Sequence, residues 1–186
     1  MNIGVTGHRP QHLGGFDDTC NACYRVKNSA RSLILKMQEK NITPVFHIGM
    51  ALGVDQWVAE QSIVDDIKFI AYIPGSKDEQ SSRWHAGSKQ RYHRILEHAT
   101  EEIIVTSDDG NFFKALHDRN LSMIAASDML YAVYKGPTKT DQNGNPSGGT
   151  HQTVTNAIKQ NTPTLIYNPE NESYTWKHRN RLDIKE

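Results

Sequence analysis

Four stretches of this chain carry residue types that bind anions or move protons, and each lies where a strand-like run gives way to a turn. Near the C-terminal end, Ser147-Gly148-Gly149-Thr150 follows an apolar, aromatic run at 129–134 and a loop at 136–145 rich in Gly, Pro, Asn and Asp. Residues 151–159 then read as a helix. Glycines let backbone approach a ligand closely, and a helix start presents unpaired N–H groups, so a phosphate fits there. His151 either touches that ligand or caps the helix. Thr6-Gly7-His8-Arg9 follows a short strand pattern at 2–5. Gly7 permits a tight turn, and the planar fork of Arg9 suits phosphate or carboxylate. His8 and His12 are four apart, but Pro10 between them disfavours a helix that would align them, so no metal site is expected.

The other two stretches repeat the theme. Gly49 and Gly53 follow the strand pattern at 44–48, and Asp55 falls in the first turn of the helix that comes next. A carboxylate there is favourable against the helix dipole; it is also placed to accept hydrogen bonds from a ribose or do acid–base work. Gln80, Arg83 and Trp84 come after the run at 68–73 and its closing Pro74-Gly75. Arg83 suits an anion, and Trp84 can stack on a base or pack over the loop. Arg119 sits beside the apolar stripe of Leu116 and Met123. A charge there needs a partner, either a bound anion or an ion pair with another element. Cys20 and Cys23 form a C-x-x-C without thioredoxin-like surroundings or further metal ligands, and read as ordinary reduced thiols one turn apart.

These stretches are separated by amphipathic helical patterns, the clearest being Val26, Ala30, Leu33, Ile34 and Met37. With further strand patterns at 102–106 and 163–167, the order is β-α-β-α-β-α-β-α-β-α-β, which predicts an α/β fold with a mostly parallel sheet and helices on both faces. In such sheets ligands bind outside the carboxyl ends of the strands, where the singled-out turns converge. One domain is expected over 1–168. Residues 169–186, with Tyr174, Trp176, Lys177, His178, Arg179 and Arg181, are expected to be an extension packing on it or trailing from it.

The 186 residues carry a formal net charge of zero, which argues against a dominant nucleic-acid footprint. No run reaches membrane-spanning length and the first residues lack a signal-peptide pattern, so a cytoplasmic protein is expected. Hydrophobic content of 37% with 23% charged residues is that of a globular domain with a sizeable core.

Taken together, residues 5–10, 49–55 and 80–84, Arg119-Asn120 with Ser127-Asp128, and Gly148-Gly149-Thr150 resemble the SLOG superfamily. That superfamily of Rossmann-like proteins includes the LOG cytokinin-activating enzymes and the Smf/DprA DNA-processing proteins; the resemblance is nearest to its YpsA-like branch. It implies a single Rossmann-like domain with a pocket for a nucleotide or nucleotide-derived ligand. The implied contacts are Thr6, Gly7, His8, Arg9, Gly49, Gly53, Asp55, Gln80, Arg83, Trp84, Arg119, Asn120, Asp128, Gly148, Gly149 and Thr150. No bound cofactor is expected, and the resemblance implies a possible homodimer. LOG-type members hydrolyse the N-glycosidic bond of nucleoside monophosphates with an arginine and a glutamate. Arg119 matches the arginine, whereas the glutamate position falls on Thr153, preceded by Gln152. The residue that the family carries between its glycine pair and the Gly-Thr is also absent.

Three functions follow as expectations. The first is a module that senses or sequesters a nucleotide, a nucleotide sugar or an ADP-ribose-like signal, as some SLOG domains do in bacterial and phage-defence settings. The second is an N-glycoside hydrolase or transferase acting on nucleoside 5′-monophosphates, with Asp55 or Asp128 supplying the carboxylate. The third is single-stranded DNA binding, which zero net charge and the lack of an aromatic–basic ladder weigh against.

Overall fold

The computed structural model describes residues 1–15 and 20–179. Strand β1 (Asn2–Gly7) leads through a 3-10 turn at Pro10–His12 to helix α1 (Asn21–Gln38). Next come β2 (Val45–Ile48), α2 (Val54–Val64) and β3 (Phe69–Pro74), followed by two helices, α3 (Lys77–Ser81) and α4 (Ala86–Leu96). Then follow β4 (Glu101–Val105), α5 (Phe112–Ala125) and β5 (Met129–Val133). A small hairpin of β6 (Lys139–Thr140) and β7 (Pro146–Ser147) interrupts the loop before α6 (Gly149–Lys159). The described chain ends with β8 (Thr164–Asn168) and β9 (Ser173–Lys177).

Seven strands form one sheet in the order β4-β3-β2-β1-β5-β8-β9. The first six in that order are parallel; β9 runs antiparallel to β8, with Tyr167 opposite Tyr174. This is the expected α/β Rossmann-like architecture. Strand alternation explains its two covered faces. Ile3, Val5, Phe46, Ile48, Tyr131 and Val133 point to one side and pack with the α1 stripe and with Trp57 and Val58 of α2. Leu130 and Ala132 point to the other, against Ile124 of α5 and Val154 and Ala157 of α6. Each fully buried Val, Leu, Ile or Phe among them contributes about 1.5–3 kcal/mol.

Two elements differ from the sequence-based expectation. Residues 173–177 are an edge strand because alternate aromatic residues there pair along β8, a period that the run of basic residues after it hides. Arg181 lies outside the described residues. The loop at 136–145 is also closed by a strand pair, where Thr140 meets Pro146.

Chain order reverses at the centre of the sheet. From β1 the chain steps outward through β2, β3 and β4, then crosses back to place β5 on the other side of β1. The crevice between the carboxyl ends of β1 and β5 is therefore the topological switch point, where open α/β sheets bind ligands.

Candidate functional site

Beside that crevice, at the carboxyl end of β2, lies a buried charge cluster. Arg119 reaches from α5 and is only 4% exposed. Its Nη1 stands 3.8 Å from Asp55 Oδ2, too far for a hydrogen bond but close enough for an ion pair. Asp55 Oδ2 also accepts from the Ala51 amide at 3.1 Å. Burial raises the Asp55 carboxyl above its ordinary range, with Arg119, the Ala51 amide and Arg9 opposing. Burial likewise lowers Arg119 to about 10, so the guanidinium stays charged at neutral pH. Its Nε has no hydrogen-bond partner among the described residues. A charged donor left unsatisfied at that depth is costly.

Glycines make the cluster possible. A Cβ on Gly49 would lie 1.2 Å from Arg119 Nη1. Gln80 holds the Gly49 carbonyl by donating from Nε2 at 2.9 Å, and its Oε1 accepts from the Tyr92 hydroxyl at 3.0 Å. Gly53, at φ 94, lets the Pro10 ring and the His8 carbonyl press against the start of α2. A Cβ on Gly7 would meet Val54 Cγ1 at 2.4 Å. The missing side chain of Gly7 is space for Val54.

Gly148 and Gly149 are different. A Cβ on either would meet no other part of the chain within 4 Å, and Gly148 has φ 111. Helix α6 begins immediately after Gly148 without a side-chain cap, and its first backbone bond is Gln152 N–H to the Gly148 carbonyl. The amides of the first turn accordingly face the crevice end of the helix unpaired. Thr150 ties this turn to β1 by donating from its hydroxyl to the Gly7 carbonyl at 2.8 Å. Thr153, at the position of the LOG glutamate, donates to the Gly149 carbonyl at 2.8 Å and is buried.

Around the switch point runs a row of rings that sequence patterns only partly signal. His8 is buried, and its backbone N–H reaches the Val133 carbonyl at 3.3 Å. Its Nε2 accepts from the Lys135 amide at 3.3 Å, which fixes a neutral imidazole protonated on Nδ1. Burial, reinforced by His12 and Lys135, lowers His8 to about 4. The Tyr134 ring lies 5.3 Å from the His8 ring, and the Tyr134 hydroxyl sits 2.6 Å from His151 Nδ1. Tyr134 and His151 directly flank a strand end and the Gly-Thr turn, which is the available signal for them. Tyr92 gives none, because its helical spacing reads simply as core.

The remaining expected residues are scattered. Thr6 is buried at the end of β1, and Arg9 lies within electrostatic reach of Asp55 and Arg119. Arg83 is exposed between α3 and α4, and Trp84 packs edge-on against Tyr92 at 5.2 Å between ring centres. Asn120 is half-buried, turned about 100° around α5 from Arg119. Asp128 is a correction. It precedes β5 at the amino end of the sheet, where its Oδ2 accepts from the Asn2 amide at 2.7 Å. It lies on the opposite edge from the crevice and cannot share a ligand with Asp55; a helix-to-strand junction resembles a strand-to-helix turn in sequence alone.

Fold and site together define a Rossmann-like α/β domain with a buried charge cluster and an open glycine pair at one edge of its sheet. A family profile described as the YspA SLOG family matches residues 3–171, and the chain belongs to that family. It is similar to the UPF0398 protein YpsA of Bacillus subtilis, 26% identical over 137 residues, covering 71% of this chain and 74% of that one. It is also similar to the UPF0398 protein BH1768 of Halalkalibacterium halodurans, at 29% over 150 residues, covering 78% and 76%. Among solved structures, DNA processing protein A from Helicobacter pylori, known for a single-stranded DNA binding mode, shares the fold. The TM-score is 0.57 at 19% identity, over 92% of this chain and 70% of that one. TM1055 gives 0.51 at 13%, over 88% and 71%. The expectation against nucleic acid gains no support from these neighbours. No helix among the described residues is long and apolar enough to cross a membrane.

Proposed function

We propose that the protein binds a phosphate-bearing, nucleotide-derived ligand at the carboxyl edge of its sheet and acts as a sensing or sequestering module. The observation that carries this reading is the first turn of α6, with uncapped amides and an open Gly148-Gly149 pair at the switch point. A phosphate seated there lies on the same edge as Arg9, Asp55 and Arg119. In this reading Arg9 and Asp55 meet the sugar or a second phosphate, with Arg119 holding Asp55 from behind. Binding is favoured over LOG-type hydrolysis because Thr153 and its helix bond stand where that chemistry has a glutamate.

Mass spectrometry of small molecules released on denaturing freshly purified protein tests the reading, followed by thermal shifts with nucleoside mono- and diphosphates, nucleotide sugars, ADP-ribose and oligothymidylate. A retained or stabilising nucleotide supports it. Stabilisation by oligothymidylate alone, falling steeply with salt, replaces it with single-strand binding. Free base released from a monophosphate replaces it with glycoside hydrolysis. No shift with any of them overturns it.

A further inference from the structure

The two cysteines stand in an arrangement that the sequence alone does not reveal. Cys20 is the N-cap of the 18-residue helix α1, and its Sγ accepts the Cys23 amide at 3.4 Å. Cysteine is not among the residues that favour this position, where Ser, Thr, Asp and Asn lead. Cys20 is half-buried, whereas Cys23 is 1% exposed on the inward face of the first turn. No disulfide joins them. The N-cap and the third helical position lie within the Cα separation that disulfides span, about 5.5–6 Å.

We propose that Cys20 and Cys23 form a reversible dithiol–disulfide site that reacts with small-molecule disulfides of the glutathione class. Cys20 is the attacking sulfur, being the solvent-reachable one of the two, and the enclosed Cys23 is the resolving one. The Cys20 thiolate attacks one sulfur of glutathione disulfide, the S–S bond breaks, and one glutathione leaves with the electron pair and takes a proton from water. Cys23 gives its proton to water and attacks Cys20 Sγ, forming the internal disulfide and releasing the second glutathione. Two protein thiols are oxidised and one external disulfide is reduced. A buried Cys23 suits this step, because its target is delivered to it inside the same turn.

The experiment uses the full chain in glutathione buffers of rising oxidised fraction, quenched in acid, alkylated and read by peptide mass spectrometry. The expected result is a monomeric product in which the peptides carrying Cys20 and Cys23 together lose two hydrogens, reversed by excess reduced glutathione. The internal disulfide should close about tenfold more readily in the native chain than in the same chain in urea, where the turn that holds the two residues at bridging separation is gone. Cys23→Ser should accumulate one glutathionyl group on Cys20, while Cys20→Ser leaves Cys23 unmodified; circular dichroism confirms that each variant folds. If both thiols stay alkylatable in the most oxidising buffer, or native and unfolded chains react equally, the site is refuted. The native-against-urea comparison needs no variant.

Discussion

Arg119 occupies the space that a side chain on Gly49 would fill: a Cβ there would come within 1.2 Å of Nη1. The charge on α5 and the bare backbone at the end of β2 are thus one feature. Gly49→Ala must expel the guanidinium, and overpacking of this kind costs about 1–3 kcal/mol. Thermal melts should show that loss, and a nucleotide that stabilises the parent chain should stabilise the variant markedly less.

Removing the guanidinium leaves Asp55 buried without its counter-charge. Burial already holds the Asp55 carboxyl above its ordinary value of 3.8, and without Arg119 it rises further. A carboxyl raised in the folded state takes up a proton on folding, so stability falls as pH climbs from the unfolded-state value through the folded-state one. Arg119→Met should therefore cost about 3–5 kcal/mol near pH 8 and clearly less near pH 4.5. Adding Asp55→Asn should recover part of the alkaline loss. Equal losses at both pH values would show that the pair does not interact.

His8 gives the opposite slope. Its folded-state value of about 4 lies below the ordinary 6.5, so between them the unfolded chain binds the extra proton. Stability present above 6.5 is lost as pH falls toward 4, by on the order of 3 kcal/mol. His8→Asn should flatten that part of the curve in denaturant titrations.

At the other end of the crevice, Gly149→Asp separates folding from binding. The added side chain meets open space, and an acid in the first turn of a helix contributes about 0.3–1 kcal/mol of stability. The same charge repels a phosphate on the amides, so nucleotide affinity should drop at least about tenfold while the melting point holds or rises. Calorimetry with the best nucleotide from the panel reads both outcomes.

Thr150→Val removes the hydroxyl that bonds the Gly7 carbonyl at 2.8 Å. A loss of about 1 kcal/mol in urea unfolding is expected, because the carbonyl is left half-buried without its donor. Amide exchange in the first turn of α6 should quicken.

The fold is legible in the sequence because its signals are local. Alternating strand and helix patterns name the layers, and the right-handed crossover leaves few topologies to choose between. The convergence of residues 6–9, 49–55 and 148–150 on one sheet edge follows from the same rule. What the glycines do is not legible, since Val54 over Gly7 and Arg119 over Gly49 are contacts between segments far apart in sequence. Asp128 misleads for a related reason: its carboxylate belongs to a junction on the far edge, and only the strand register shows which edge that is. Trp84 and Gln80 stand out as residues of interest, yet the structure gives them to Tyr92 and to the Gly49 carbonyl.

The sheet order also bears on how a ribosome delivers this molecule. The central strand is made first, and its partner on one side, with Tyr131 beside Val5, is made 126 residues later. At ordinary translation speeds that interval is roughly 6–25 s. Once β2 has emerged, Ile3 and Val5 have it as neighbour on one flank and, until β5 follows, a bare edge on the other, open to any extended peptide. Newly made chains are thus most vulnerable to sticking together before β5 emerges, and a holding chaperone that covers the nascent amino-terminal half would raise the yield more than one acting after release.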